Sequence, residues 1–285
     1  MDNSEKNKVQ NSTLYLVGTP IGNLADISER AKKVLSEVDF VAAEDTRNSM
    51  KLLSALGIKK ELVSYYEHNK KASGERIVAR LLGGESCALV TDAGMPAISD
   101  PGEDIVRLCA ESGITVSVIP GPSAVVSALA LSALPTGRFT FEGFLSAQKN
   151  ERRAHLDSLK GETRTMIFYE APHKLLRTLE DMLSAFGEER KISLCREITK
   201  LNEEVVRTTL AGAVAIYSEK EPRGEFVLVL EGCGDGISEE NPLLSLSPAE
   251  HVEHYISAGL SKMDAIKAAA KDRGMSKSEM YKLVL

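Results

Sequence analysis

Short apolar runs rich in β-branched residues alternate with segments of helical period from Thr13 to about Gly232. This alternation predicts an α/β fold, because amphipathic helices cover the apolar faces of a sheet. It gives ten strands, the first at Thr13–Val17 and the last at Phe226–Glu231. Ten strands are too many for one compact open sheet with its helices in a chain of 285 residues. We therefore predict two α/β domains.

The pattern changes after Gly232, where an acidic and glycine-rich stretch indicates a linker. Ser247, Ser261 and Ser276 each precede an acid three residues further on, which is a helix-start signal. Three short helices follow, and the last two have the proportions of a helix-turn-helix. The predicted organisation is a disordered N-terminus over 1–12, α/β domains over 13–122 and 123–233, an acidic linker over 234–246 and a helical module over 247–285.

The net charge of −6 argues by itself against a nucleic-acid partner. The acidic excess is local, however, because residues 234–253 hold five acids and no Lys or Arg, whereas residues 45–80 and 261–285 are net basic. Basic groups interleaved with Tyr65, Tyr66 and His68 can bind phosphates and stack on unpaired bases. A solvated helix face over core tyrosines explains the same composition. The basic tail similarly suits an accessory RNA contact or a stability module.

Other sequence features argue against several classes of protein. Apolar runs such as Ala124–Leu134 fall short of the roughly 20 residues that a bilayer requires. The polar start, Met1–Asn11, has no apolar signal core, so we expect a cytoplasmic protein. The four cysteines form no CxxC pair and are interpreted as buried small hydrophobes. His251 and His254 lack evident partner ligands, so no metal site is predicted.

Turn-rich loops follow the predicted strands of the first half, at Gly18–Leu24, Thr91–Gly102 and Pro120–Ala124. Ligands of open α/β sheets bind beyond the carboxyl ends of strands, so these loops predict a small-molecule site built mainly from main chain. Pro20 occupies the second-glycine position of a dinucleotide fingerprint, which disfavours an NAD-type site.

Three polar clusters at strand ends have two interpretations each. Glu44–Arg47 is either a site cluster or the capped start of a helix expected near Ser49–Leu56. Tyr169–His173 and Cys195–Lys200 are either the far wall of a cleft or solvated strand ends.

The ordered motifs of this chain resemble the ribosomal RNA small-subunit methyltransferase I family, within the tetrapyrrole-methylase superfamily. They are LYLVGTPIGNL, AAEDTR, YYEHN, TDAGMPAISDPG, PGPSA, FYEAPHKL, CREITKLNEE and GEFVLVLEG. The resemblance implies two α/β domains with the cofactor cleft between them, and a homodimer. It implies S-adenosylmethionine as cofactor and methylation of a cytidine 2′-hydroxyl in the decoding region of 16S rRNA, within the 30S subunit. Met95 and Ala97 stand where the family has Thr and Leu.

The resemblance also implies functional residues. Those expected around S-adenosylmethionine are Pro20, Ile21, Asp92, Ala93, Gly94, Met95, Ile98, Ser123, Ala124, Phe168, Tyr169, Glu170, Cys195 and Phe226. A ribose hydroxyl is a weak acid, so a nearby base or hydrogen-bond acceptor should help as its proton leaves, with His68 a less favoured base than the carboxylates at the cleft. The catalytic candidates are Glu44, Asp45, Arg47 and Asp100, and sequence does not rank the acids. The candidates for RNA binding are Arg47, His68, Lys70, Lys71, Arg196 and Lys200.

Two other functions stay open. A tetrapyrrole C-methyltransferase is disfavoured because the first loop lacks the G-x-G-P-G-D motif that is typical of enzymes with that activity. A non-catalytic RNA-binding assembly factor is disfavoured by the intact cofactor-side loops.

Overall fold

The structure is a computed structural model that describes residues 8–234, 242–244 and 246–284. These form a larger unit, to which Met1–Ser158 and Arg164–Glu231 are assigned, and a smaller unit of Leu159–Thr163 and Gly232–Leu285. Much of the predicted N-terminal segment and most of the acidic linker lie outside the described residues, as does Leu285. The predicted domain boundaries stay a prediction.

A five-stranded parallel sheet forms the first part of the larger unit, with the strand order β3-β2-β4-β1-β5. Its inner strands β2 and β4 are wholly buried, as expected of parallel strands covered by helices on both faces. The elements are β1 (Thr13–Val17), α1 (Glu29–Glu37), β2 (Phe40–Ala43), α2 (Thr46–Ala55), β3 (Glu61–Ser64), α3 (Lys70–Leu82), β4 (Cys87–Val90), α4 (Gly102–Glu111), β5 (Thr115–Ile119) and α5 (Ala124–Leu131).

A second, mixed sheet completes the larger unit, with the order β6-β7-β10-β8-β9. Strands β6 and β7 are parallel, and all other neighbours are antiparallel. The predicted α/β fold with two sheets is confirmed. The elements are β6 (Phe139–Phe144), α6 (Lys149–Ser158), β7 (Thr165–Glu170), α7 (Leu175–Phe186), β8 (Lys191–Arg196), β9 (Glu204–Thr209), α8 (Leu210–Glu219) and β10 (Phe226–Leu230).

The antiparallel direction of β10 brings its beginning to the ends of its two neighbours. Phe226 pairs with Glu170 at the end of β7 and with Arg196 at the end of β8. Three segments distant in sequence therefore meet at one edge of the second sheet.

A β-bulge interrupts β6. Phe141 pairs with Ile167 of β7, but Gly143 pairs with Phe168, so Glu142 is an extra residue in the pairing. Gly143 has a positive φ of 66°, a conformation that glycine adopts without steric cost. Such bulges bend a strand and redirect the side chains that follow.

The described part of the smaller unit contains three α-helices with a core of their own, which includes Val252, Ile266 and Met280. Ser247 and Ser276 each accept a hydrogen bond from the backbone of the glutamate three residues on, as predicted. His251 is buried, with Nδ1 accepting from Arg273 Nε at 3.0 Å. No helix among the described residues is both long and apolar enough to cross a bilayer. The helices are α9 (Pro248–Ser257), α10 (Lys262–Asp272) and α11 (Lys277–Val284).

Candidate functional site

A cavity of about 630 Å³ lies in the larger unit, where loops of both sheets meet. This volume is in the range of small-molecule and cofactor sites. The first sheet contributes the ends of β1, β2, β4 and β5, and the second contributes the ends of β6, β7 and β8 with the start of β10. The lining residues are Ile21, Glu44, Thr91, Asp92, Ala93, Gly94, Met95, Ile98, Ser99, Asp100, Ser123, Ala124, Phe144, Tyr169, Glu170, Ala171, Pro172, His173, Cys195, Glu197, Ile198, Lys200, Glu225, Phe226 and Val227.

Close backbone contacts hold the first-sheet loops together. Thr19 and Gly94 exchange two backbone hydrogen bonds, of 2.9 and 3.1 Å. A Cβ on Gly18 would lie 2.7 Å from Gly121 Cα, a contact that backbone cannot relieve without moving. Gly18 and Gly121 therefore allow the loops after β1 and β5 to cross at this distance.

Strained backbone is concentrated at the cavity. Positive φ angles, which residues other than glycine rarely adopt, occur at four positions here. They are 68° at Ala97, 60° at Ser99, 52° at Glu197 and 67° at Thr199. The first two lie in the loop after β4 and the last two in the loop after β8. Such strain persists only where surrounding contacts impose it, and it is concentrated at ligand-binding sites.

Asp100 holds the strained loop after β4. Its Oδ1 accepts hydrogen bonds from the backbone N–H groups of Ala97 at 3.0 Å and Gly102 at 2.7 Å. Its Oδ2 is buried and has no hydrogen-bond partner within residues 8–234. Burial raises the pKa of this carboxyl, although the backbone hydrogen bonds oppose the rise. Asp100 thus has a positioning role for the loop.

The adjacent acids Glu44 and Asp45 occupy opposite environments. Glu44 lines the cavity and accepts a hydrogen bond from Thr91 Oγ1 at 3.0 Å. Burial raises its pKa above that of an ordinary glutamate, against the effect of the Thr91 hydrogen bond. Asp45 caps α2 instead, and its hydrogen bonds with Arg47 lower its pKa to about 2. The capping interpretation is therefore confirmed for Asp45, whereas Glu44 belongs to the cavity.

Most of the predicted RNA-binding side chains lie away from the cavity lining. Lys70 pairs with Glu67 and Asp104, both at 2.8 Å. Arg196 Nε donates to Glu204 at 2.9 Å. Within the described residues, the five candidates outside the lining are Arg47, His68, Lys70, Lys71 and Arg196.

Lys200 is the RNA-binding candidate that lines the cavity. It pairs with Glu197 at 2.9 Å and Glu225 at 2.8 Å, so its charge is already compensated. A Cβ on Gly22 would lie 2.4 Å from Lys200 Cγ, which shows how closely the loop after β1 packs on this side chain. Lys200 therefore links the loop after β8, which contains Glu197, to Glu225, the residue before β10.

Twelve of the fourteen residues expected around the cofactor line the cavity. Phe168 does not, because it is a fully buried residue of β7, and Pro20 is also absent from the lining. Glu170 lines the cavity, but its carboxylate accepts hydrogen bonds from Ala171 N at 2.8 Å and Thr178 Oγ1 at 2.5 Å. The Glu170 carboxylate therefore already has hydrogen-bond partners within the protein. Burial raises the pKa of the Cys195 thiol, so this side chain contributes an uncharged group to the cavity lining.

The cavity lining is acidic. Among the described residues, six carboxylates line it, whereas the basic side chains there are Lys200 and His173. An acidic pocket favours a cationic ligand and disfavours phosphate groups. The lining therefore fits the sulfonium and ammonium groups of S-adenosylmethionine, and it predicts that RNA phosphates stay outside.

Residues 13–214 match the family described as Tetrapyrrole (Corrin/Porphyrin) Methylases. The chain belongs to this family. A structure of a tetrapyrrole methylase, uroporphyrin-III-C-methyltransferase from Thermus thermophilus, has a TM-score of 0.56 at 21% identity, and the match covers 77% of this chain and 94% of that one. At this identity the match demonstrates the shared fold.

Nearer relatives of this tetrapyrrole methylase have the name Ribosomal RNA small subunit methyltransferase I. The protein from Halalkalibacterium halodurans is 50% identical over 95% of this chain and 94% of its own length. That from Thermotoga maritima is 48% identical over 77% of this chain and 98% of its own length. The resemblance stated from the sequence motifs is confirmed.

Proposed function

We propose that this tetrapyrrole methylase uses S-adenosylmethionine to methylate the 2′-hydroxyl of a cytidine in the decoding region of 16S rRNA. The observation that carries the proposal is the 50% identity, over nearly the whole chain, to a protein named Ribosomal RNA small subunit methyltransferase I. The acidic cavity, lined by twelve of the expected cofactor residues, supports the cofactor. We further propose that a homodimer acts on the 30S subunit in the cytoplasm.

Bound S-adenosylmethionine would supply a methyl group on a positively charged sulphur. The loops after β1, β4, β5 and β8 would hold this donor through main-chain groups, fixed in place by Asp100 and by the Gly18–Gly121 crossing. Holding donor and acceptor at near-attack distance contributes much of the catalysis of such a displacement. Asp100 is a positioning residue in this scheme.

Glu44 is the carboxylate best suited to accept the proton of the ribose hydroxyl. Bound S-adenosylmethionine would supply the methyl group to the hydroxyl oxygen, and the Glu44 carboxylate would accept the proton that this hydroxyl releases. A raised pKa makes Glu44 a stronger base than an ordinary glutamate. Asp45 is a poor base because its pKa is about 2. Arg47 would contact RNA from outside the cavity.

The test uses purified full-length protein, methyl-labelled S-adenosylmethionine and 30S subunits from cells that lack the modification. We expect label in 16S rRNA, recovered as 2′-O-methylcytidine after nuclease digestion. A parallel reaction with naked 16S rRNA shows whether the assembled subunit is required.

Two alternative functions give different results. Label on a uroporphyrinogen-type substrate instead of RNA would identify a tetrapyrrole C-methyltransferase, the activity named for the Thermus thermophilus protein with the same fold. Binding to 30S subunits without any methyl transfer would indicate an assembly factor. Either result would refute the proposed function.

A further inference from the structure

Phe144 is an aromatic side chain at the cavity that remains accessible to solvent. It lines the cavity, yet 59% of its surface is exposed. Its ring centroid lies 5.2 Å from that of Tyr169, which in turn lies 5.0 Å from that of Phe141. Phe144 is therefore the outermost member of a row of three aromatic rings.

The bulge in β6 gives Phe144 this position. Phe141 and Phe144 are three residues apart and would point to opposite faces of a regular strand. Because Glu142 is extra, Phe141 pairs with Ile167 and Phe144 with Tyr169, which lie two residues apart on β7. The bulge thus puts Phe144 on the same face as the other two rings.

The loop after β4 lies close to β6 beside Phe144. A Cβ on Gly143 would lie 3.5 Å from Ser99 Oγ, in the strained loop after β4. Ile98, the neighbour of Ser99, also lines the cavity and is 52% exposed. Phe144 and Ile98 are therefore two exposed apolar side chains at the edge of an acidic cavity.

We propose that Phe144 is the platform on which the base of the acceptor nucleotide stacks. This inference rests on the proposed function and adds the residue that receives the substrate. The acidic interior favours the cationic donor and disfavours phosphates, so the nucleotide presents its ribose at the edge of the cavity. An unpaired base can then lie against an exposed aromatic face, as in other sites for unstacked nucleotides.

The chain contains no tryptophan, so Phe144→Trp introduces a single indole fluorophore at the edge of the cavity. A stacked base quenches indole emission. We expect quenching when a cytidine-containing single-stranded RNA is added, and little change with S-adenosylmethionine alone. The matched control is Leu82→Trp, at an apolar position that is 62% exposed and outside the cavity lining. RNA should leave the emission of this control unchanged.

Kinetics of further variants test the same contact. Stacking on an aromatic ring changes RNA affinity by about 5- to 150-fold. We expect Phe144→Ala to raise KM for 30S subunits within that range, with the Kd for S-adenosylmethionine unchanged. Phe144→Tyr should retain the wild-type KM, and Phe144→Leu should resemble the alanine variant because it lacks a flat π face.

Three results would overturn the assignment. Equal weakening of S-adenosylmethionine binding would mean that the ring contacts the cofactor. Full activity of Phe144→Leu would mean that apolar area alone is needed. A changed sedimentation coefficient of Phe144→Ala would mean that the ring belongs to a subunit interface. Failure of the wild-type protein to methylate RNA is a separate outcome, which refutes the proposed function, whereas quenching reports on stacking without methyl transfer.

Discussion

The carboxylate of Asp181, on α7, is buried between two arginines of α6. Its Oδ2 accepts from Arg152 Nε at 2.9 Å and Nη2 at 2.7 Å, and its Oδ1 accepts from Arg153 Nε at 2.7 Å. The side chains of Arg152 and Asp181 are each 5% exposed. Asp181→Ala would leave the Arg152 guanidinium buried without a counter-charge.

Loss of one partner from a buried ion pair costs about 3–5 kcal/mol of unfolding free energy. Arg152 Nη1 would still donate to the carbonyl oxygens of Ser146 at 3.1 Å and Ala147 at 3.3 Å. We therefore expect the lower end of that range, about 3 kcal/mol. For a unit of this size, that corresponds to a fall in Tm of roughly 6–12 °C.

The cost should depend on pH. Burial alone would raise the pKa of Asp181, but the hydrogen bonds from Arg153 and Arg152 outweigh burial and lower it. An acid with a lowered native pKa contributes its stability above the unfolded pKa and loses it as the pH falls through the native pKa. The difference between wild type and Asp181→Ala should therefore be full at neutral pH and shrink below about pH 4.

Urea unfolding followed by circular dichroism at several pH values measures this cost. Glu29→Ala is a matched control, because it removes an exposed ion pair with Lys32 and should cost less than about 1 kcal/mol. If Asp181→Ala cost no more than the control at neutral pH, the argument from burial would be wrong.

Three further variants test the cavity and the surface beside it. Glu44→Gln should lower kcat by about 10²- to 10⁴-fold. Because Glu44 has a raised pKa, its charged form destabilises the fold, so the same variant should raise the unfolding free energy at neutral pH. This gain in stability should vanish below the ordinary pKa of glutamate, where the carboxyl is protonated in both states. Gly18→Ala should weaken S-adenosylmethionine binding in calorimetry and lower Tm, whereas Gly137→Ala, where a Cβ meets no atom within 4 Å, should do neither. Arg47→Ala should raise KM for 30S subunits with little change in Tm, since its exposed pair with Asp45 contributes little; a large loss of Tm would contradict this.

Much of the fold follows from sequence periodicity, because the runs that alternate with helical segments are strands of the structure. Helix starts were less accurate. Helix α2 begins at Thr46 rather than near Ser49, because Asp45 caps it by accepting from Arg47 N at 2.8 Å. Sequence left cap and site equally open here, since both use the same residue types.

The site was predicted where its signal is local and missed where it is not. Turn residues after parallel strands indicated the first-sheet loops, and those loops line the cavity. Sequence does not separate Glu44 from Asp45, since only the fold places Glu44 in the cavity lining and pairs Asp45 with Arg47. Phe144 was missed because strict strand alternation puts it on the wrong face, and Gly143 is the single sequence sign of the bulge.

The position of β10 has a consequence for synthesis of the chain. Although it is the last strand of the larger unit, it lies between β7 and β8, so the second sheet stays incomplete until Leu230 has left the ribosome. Glu225, Phe226 and Val227 also line the cavity. A nascent chain that ends before this strand therefore lacks both the central strand of the second sheet and part of the cofactor pocket. The enzyme should gain its ligand affinity in one late step, after most of the chain has been translated.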